Sequence, residues 1–461
     1  MSVLKDQPTD DLAPHKWRWR TIVPWNRLWP WLLASAVLIC LPFVFGSGSA
    51  LTVMNQMAIT IIFALSYNML LGQGGMLSFG HAVYMGLGGF FCMHLLRWVE
   101  YDELALPLVL LPLFGGLFGL FFAFMIGSFS TRRAGTVFAM ISLGVGELIA
   151  ACSIIIVVFF GGEEGVSGDR TMGPTFFGFD FASQTEVYYL TAVWLILSAL
   201  AMYLFSRTPI GRIANAVRDN EERAEFLGYS QRHVRWMSFC ASGFFAGIAG
   251  ALFAINYEIL TEENLNLATS GSILLITFLG GVGFFIGPII GAIAFTLLQT
   301  VLSLYTELWQ LYAGILFVLT VMFFPFGLTG LLAMHGRALK LGKLGQLTVP
   351  YLKMAVPGLV LVLAGAAVFE MMFHAREAAV GDTEMNLYGL TVDSHAWAPL
   401  IAAIALVGIS IFVMTRLAPG LKEAWDEANS IDVQPPLGGP PPDGSRVVAP
   451  KPGGTAMEAA E

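Results

Sequence analysis

Glu147 is the side chain in this sequence that most needs a partner. It stands in Ser142-Leu-Gly-Val-Gly-Glu-Leu-Ile-Ala-Ala-Cys152, near the middle of a long apolar run. A carboxylate there is costly unless it meets another protein group or a water-filled path. Asn55, Gln56 and Asn68 share a second apolar run, Ser78 and His81 sit beside a glycine cluster, and Asn256 and Gln299 lie in the second half. The cluster, Leu71-Gly-Gln-Gly74-Gly75-Met-Leu-Ser78-Phe-Gly80, has a counterpart in Leu279-Gly280-Gly281-Val-Gly283-Phe-Phe-Ile-Gly287-Pro288. Each interrupts an apolar run in its own half of the chain, the pattern expected of broken helices beside a midplane transport path. The chemistry on offer is hydrogen bonding and charge pairing. Glu147 either meets a cation in such a path or bonds within the bundle or to a partner subunit. His81 either lines the path or packs and bonds between helices. The seven His are scattered, and H-E-x-x-H, G-x-S-x-G and Cys–His spacings are absent. Neither an embedded enzyme nor a metal or cofactor site is expected.

The other stretch able to do chemistry is Ser206–Arg235, SRTPIGRIANAVRDNEERAEFLGYSQRHVR, with six Arg and four acids in a protein only 12% charged. It cannot sit in lipid, and its Arg excess assigns it to the cytoplasmic side. Thr208 is placed to cap a helix opened by Pro209. Ile210, Ile213, Ala214, Val217, Phe226 and Leu227 supply an apolar side. Arg212, Arg218, Asp219, Glu222, Arg223 and Glu225 supply the wet one, and Gly228 fits a helix C-terminus. Such a two-sided island between two spans is expected to dock a soluble partner.

Membrane helices must position all of this. Hydrophobic residues make up 56% of the 461 and mean hydropathy is +0.72, too apolar for a water-soluble globule of this length. Apolar runs able to cross a hydrocarbon core of about 30 Å fall at 29–45, 51–71, 76–98, 105–128, 135–160, 188–205, 236–256, 270–283, 286–304, 309–325, 356–373 and 397–415. The fold class is therefore all-α, a polytopic integral membrane protein of about ten core spans plus two C-terminal ones. The 270–283 piece is short and reads as broken or re-entrant, and Trp29-Pro30-Trp31 reads as an interfacial belt with proline at a helix start. Residues 1–28 form a cytoplasmic N-terminal segment, 29–332 the core with 206–235 as its cytoplasmic loop, and 333–355 a linker rich in Lys and Gly. Residues 356–415 carry the two extra spans, and 416–461, with QPPLGGPPPDG, is expected to be a disordered cytoplasmic tail.

Glycines at spacing three or four, as in Gly86-Leu-Gly88-Gly89, Gly115-Gly116…Gly119, Gly243…Gly247…Gly250 and Gly283…Gly287…Gly291, are expected at close helix contacts. The four cysteines lie within spans as small buried hydrophobes, with no disulfide expected. Lys16, Arg18, Arg20, Arg27, Arg132, Arg133, Arg337, Lys340, Lys343 and Lys353 fall on the island's side; Trp98–Glu103, Gly161–Glu186 and the acids Glu258, Glu262 and Glu263 fall opposite. That asymmetry puts both termini in the cytoplasm, and the N-terminus lacks a signal-peptide pattern. Basic residues are spread among membrane-flanking loops and the net charge is −8, so no nucleic-acid partner is expected.

Glu222-Arg-Ala224-Glu-Phe-Leu-Gly228 reads E-x-A-x-x-x-G, close to the E-A-A-x-x-x-G pattern of cytoplasmic coupling helices in ABC importer permeases. The run RTPIGRIANAVRDNEERAEFLGYSQRHVRWMSFCASGFFAGIAGALFA resembles branched-chain amino acid ABC permeases of the LivM type. So do TFLGGVGFFIGPIIGAIAF followed by LYAGILFVLTVMFFPFGLTGLL, and NMLLGQGGMLSFGHAVYMGLGGF near the start, together spanning most of residues 50–332. Arg223 stands where the pattern has an alanine, and the residues after 332 extend beyond the family core.

The resemblance implies cytoplasmic ATP-binding subunits gripping the island through Pro209, Gly211, Arg212, Glu222, Ala224 and Gly228. It also implies a second permease subunit forming a heterodimer and a periplasmic substrate-binding protein, in the inner membrane of a bacterium. This chain has no G-x-x-x-x-G-K-[ST] loop, so ATP chemistry would belong to a partner. Branched-chain amino acids would move by ATP-driven alternating access. A zwitterion's carboxylate would suit helix N-terminal amides at Gly74, Gly75, Gly280, Gly281 and Gly283; its ammonium would suit Glu147, with Asn68, Ser78 and His81 along the path. Uptake of urea or short amides is the alternative within the family. An ion-coupled secondary transporter would carry ionisable pairs inside its spans, where this chain places one central acid. A scaffold without transport would have no use for two glycine breaks.

Overall fold

The computed structural model describes residues 25–101, 106–172, 174, 178–324, 326–340, 342–377 and 384–429. Lys16, Arg18, Arg20, most of the expected N-terminal segment and the tail from 430 lie outside these. The chain divides into two units, Met1–Met334 and His335–Glu461.

The first unit opens with α1, Trp25–Val44, which starts before Pro30 rather than at it. α2, Gly48–Asn68, is capped by Ser47 and runs into a π-helical turn, Met69–Gln73. Residues 74–81 are then not regular helix, and α3 follows as Ala82–Glu100. α4 is Leu111–Ser130, opened by Pro112, and α5 is Thr136–Ile155. α6, Gln184–Arg207, leads into the island, where Thr208 caps α7, Pro209–Asp219, and Asn220 caps α8, Glu221–Phe226. α9, Gln231–Tyr257, absorbs the island's last residues into the next span. α10, Leu267–Gly280, and α11, Gly287–Leu302, form a short helical hairpin, followed by α12, Trp309–Phe323. A bend of 47° separates α12 from α13, Gly327–Lys340. At the end opposite the island, β1, Val166–Ser167, pairs antiparallel with β2, Ile259–Leu260.

The core of this unit is built on α9, whose Ala246, Ala249, Ala251 and Ala254 are fully buried. Its glycines let neighbouring backbones touch. A Cβ on Gly247 would lie 2.3 Å from the Gly115 carbonyl oxygen, and one on Gly250 would lie 1.8 Å from that of Met85. Without a water-exclusion force between helices in lipid, this contact area is what holds α3, α4 and α9 together. α5 is the least embedded of these helices. Val137, Met140, Gly144, Glu147, Leu148 and Ile155 are all exposed along one of its faces.

In the second unit α14, Leu344–Glu377, and α15, Trp397–Asn429, form a long hairpin joined through the antiparallel pair β3, Glu384–Leu387, and β4, Leu390–Asp393. Of the expected linker and tail, only the first part of the tail needs correction. Among the described residues, the 333–355 linker is helical over 333–340 and 344–355, and Gly342 between them takes φ +69°. Residues 416–429 continue α15 as helix because Ala428 packs with Ala338 and Leu347, with Ala424 and Trp425 alongside. The apolar side that orders them is too short to stand out from the Pro- and Gly-rich residues that follow. Among the described residues, eight helices are long and apolar enough to cross a membrane, or nine if the bent α12–α13 pair counts as one span. All four cysteines are free, but only Cys92 is buried; Cys40 is exposed.

Candidate functional site

The island is a small folded platform. Thr208 Oγ1 accepts the Gly211 amide at 3.3 Å, and Asn220 Oδ1 accepts that of Arg223 at 2.9 Å, so each helix has its N-cap. α8 ends in a Schellman motif: Gly228, at φ +86°, donates to Glu225 O at 2.9 Å, and Tyr229 donates to Ala224 O at 3.2 Å. Ala214, Val217, Ala224 and Val234 form a core of their own beneath it, with Ile213 packed alongside. Arg235, nearly buried, pairs with Glu221 and ties α8 to the base of α9.

Of the expected coupling residues, Gly211 and Ala224 are buried where larger side chains would collide. Pro209, Arg212, Glu222 and Gly228 face outward. Phe226 and Leu227 do not join the apolar side. They project at 90% and 70% exposure and, with Tyr229, make an apolar tip on a charged platform.

The two glycine breaks meet. A Cβ on Gly72 would lie 2.7 Å from the Val282 carbonyl oxygen, so the end of α2 abuts the α10–α11 turn. Both lie at the island's end of the bundle rather than halfway along, since Arg218 of α7 donates to Gly72 O. Gly74 is buried against Leu70 O and Gly75 faces Arg218. Gly280 packs on Gly287. Gly281, at φ +113°, lies against Phe326 O, and Gly283 faces open space.

After Gly75 and Met76, whose amides still bond the Leu71 and Leu70 carbonyls at 3.0 and 3.1 Å, the chain to His81 runs back into the bundle outside any regular helix, largely buried. Such backbone survives at membrane depth only when protein or a water-filled cavity satisfies it. Tyr67 OH donates to Ser78 O at 2.9 Å, Phe79 N–H to Ser142 Oγ at 3.0 Å, and Ala82 N–H to Ser270 Oγ at 3.0 Å. His81 Nε2 meets Ser66 Oγ at 3.1 Å while its ring stacks on Phe63. Asn68 Oδ1, Ser78 Oγ and His81 Nδ1 are buried with no partner among the described residues.

Ser142 and Gly146, which brace this segment, belong to α5, and Gly146 directly precedes Glu147. Glu147 itself points away from the chain, and none of the described residues bonds it. In lipid that position is untenable, so the Gly144–Glu147 face must be covered by protein or by water.

At the opposite end the sequence reasoning missed a buried arginine. Arg170 donates Nε to Phe181 O at 2.9 Å, Nη1 to Ile255 O and Asn256 O at 3.2 Å each, and Nη2 to Gln184 Oε1 at 3.1 Å. It caps the C-terminus of α9 with a cation, beside Glu258 at 3.9 Å. Asn256 Oδ1 in turn accepts from Gln184 Nε2 and Asn55 Nδ2. The only sequence signal is one base within an acidic loop, 161–186. Above this network a depression of about 730 Å³ is lined by Arg97, Glu100, Asp169 and Glu258. Asp169 is held below the usual carboxylate range by the Thr171 amide and then by the Thr171 hydroxyl. Gln56 and Gln299 line a separate cavity of about 210 Å³, with Thr60, Ser272, Thr296 and Trp309.

A multi-pass helical bundle with paired breaks in its backbone and a folded platform at one end is, as a class, a membrane permease. The family described as the permease component of branched-chain amino acid transport systems matches residues 49–324, and the chain belongs to it. The high-affinity branched-chain amino acid transport system permease protein LivM of Salmonella typhimurium is 29% identical over 334 residues, covering 67% of this chain and 76% of that protein. The Escherichia coli LivM is 29% identical over 322 residues, covering 64% and 74%. The autoinducer 2 import system permease protein LsrC of Klebsiella pneumoniae is 34% identical over 156 residues, covering 32% of this chain and 45% of its own. No solved structure matches the chain.

Proposed function

We propose that this chain is a permease subunit of a binding-protein-dependent ABC importer in a bacterial inner membrane, carrying branched-chain amino acids. The island is the observation that carries the reading. It is capped at both helices, has its own small core and ends in the apolar tip of Phe226 and Leu227. A solvated loop needs none of these; a surface that transmits force to and from an ATP-binding subunit needs all three. The chain supplies the path and its partners hydrolyse the ATP. Both termini lie in the cytoplasm with the island, and the periplasmic binding protein delivers its cargo at the Arg97–Asp169 depression.

The exposed face of α5 is the second support. Gly144 has open space above it and Glu147 lacks a partner in the described chain, which fits a seam against a second permease subunit through which a zwitterion passes. The substrate reading leans on the LivM relatives. The LsrC relative, named for autoinducer 2 import, shows that cargo varies among proteins similar to this one.

Deleting Ile210–Gly228 tests the reading. The variant is expected in the membrane at normal level but without co-purifying ATP-binding subunits. Retained co-purification, or leucine uptake by the isolated chain on an ion gradient alone, would sink it.

A further inference from the structure

Arg218 makes a contact that no docking surface requires. It stands in the last turn of α7, yet its Nη1 donates to the carbonyl oxygen of Gly72, 146 residues away in the chain. Gly72 lies in the π-helical turn that ends α2, where the last carbonyls lack helical partners. A guanidinium there is a C-cap of favourable sign. Nε and Nη2 of the same group grip Asp219 Oδ1 at 3.0 and 2.9 Å, which fixes the plane of the fork.

The glycine break is shaped around this side chain. A Cβ on Gly75 would come within 2.7 Å of Arg218 Cγ, and Gly75 takes φ +64°, a conformation other residues adopt only with strain. On its far side Gly72 abuts Val282 of the second break. The capping bonds at Thr208 and Asn220 and the Arg235–Glu221 pair stay within the 206–235 stretch. The Arg218–Gly72 bond leaves it and ends where the two breaks touch.

We propose that Arg218 is a positioning residue that carries movement of the island to that meeting point. Displacement of α7 by the ATP-binding partner pulls on the Gly72 carbonyl and reseats the end of α2 against the α10–α11 turn. The proposal rests on reading the island as the ATPase-docking surface.

The test uses the whole transporter in proteoliposomes: this chain, its second permease subunit, the ATP-binding subunits and the binding protein, with radiolabelled leucine as probe. Arg218→Ala is expected to assemble, to hydrolyse ATP within about twofold of wild type, and to take up roughly tenfold less leucine per ATP. Arg218→Lys keeps a cation but loses the fork, and should recover an intermediate ratio. Gly75→Ala, which collides with the Arg218 stem, should lower the ratio as well. Combined with Arg218→Ala it should cost less than the two losses multiplied, because the collision partner is gone.

A wild-type uptake-to-hydrolysis ratio in Arg218→Ala overturns the proposal. So does failed assembly of Arg218→Ala and Arg218→Lys alike, which would make the residue a structural strut. A wild-type complex that never couples leucine uptake to ATP fails the underlying reading instead, before any variant is compared.

Discussion

Asn55 donates from Nδ2 to Asn256 Oδ1 across 2.8 Å, although 201 residues separate them. The bond joins α2 to the far end of α9, and Gln184 of α6 shares the same acceptor at 2.9 Å. Asn256→Ala would strand both donors in a buried site, at a cost of about 1–3 kcal/mol. Arg170→Ala would cost more, since it strands the Phe181, Ile255 and Asn256 carbonyls and Gln184 Oε1 at once, each a bond to a charged donor worth about 1.5–3 kcal/mol. Thermal unfolding of the detergent-solubilised protein should rank the two in that order. Equal midpoints for Arg170→Ala and wild type would remove the network from any account of stability.

On the platform, exposure separates docking from folding. Phe226 is 90% exposed, so Phe226→Asp should leave the midpoint unchanged while the ATP-binding subunits no longer co-purify. Ala224 is 2% exposed, so Ala224→Leu should overpack the small core by about 1–3 kcal/mol and lower the midpoint as well. Co-purification that survives Phe226→Asp would move the docking surface elsewhere on the island.

Glu147 divides charge from shape. If its carboxylate meets a substrate ammonium, Glu147→Gln should raise the leucine concentration for half-maximal uptake about tenfold or more, with the assembled complex intact. If it bonds the second permease subunit, the same change should reduce recovery of the paired subunits at unchanged affinity. Kinetics and pull-down on one preparation distinguish these, and no change in either would leave Glu147 outside the path.

Acid should loosen the 161–183 loop through Asp169. Its carboxyl sits below its ordinary value because it accepts the Thr171 amide and hydroxyl. A depressed folded-state pKa contributes stability above the unfolded value and loses it as pH falls through the folded one. Pepsin nicking of residues 161–183 should therefore accelerate from about pH 4 downward, and Asp169→Asn should be nicked at the acid rate throughout. Identical pH profiles for the two proteins would show the Asx turn to be incidental.

Much of this architecture was legible because lipid imposes a strong code. Spans, the polar island, its Thr208 cap and Gly228 each follow from local rules that tolerate little else. Contacts between distant residues were not legible. Nothing in the local pattern at Arg218 distinguishes it from Arg212, yet one reaches Gly72 and the other faces outward. The neighbours of the glycine breaks are hidden in the same way: period and length place α2 in the membrane but do not say that its π-helical turn brings Gly72 beside Arg218 and Val282. Hydrophobicity alone places Phe226 and Leu227 on the apolar side, whereas at the Schellman turn before Gly228 both face outward. Residues 416–429 were read as tail because the partners that order them, Ala338 and Leu347, lie about 80 residues earlier in the chain.

The stretch between Gly74 and His81 hangs from hydroxyls on three separate helices: Ser66, Ser142 and Ser270. A span held by its own ladder travels as a rod, while this strip takes its outline from whichever rods carry its pegs. Sliding one rod past another would therefore change which pegs hold the strip while leaving each rod's own ladder intact. Each exchanged peg is worth about 1 kcal/mol, small beside the cost of breaking a whole turn of helical ladder.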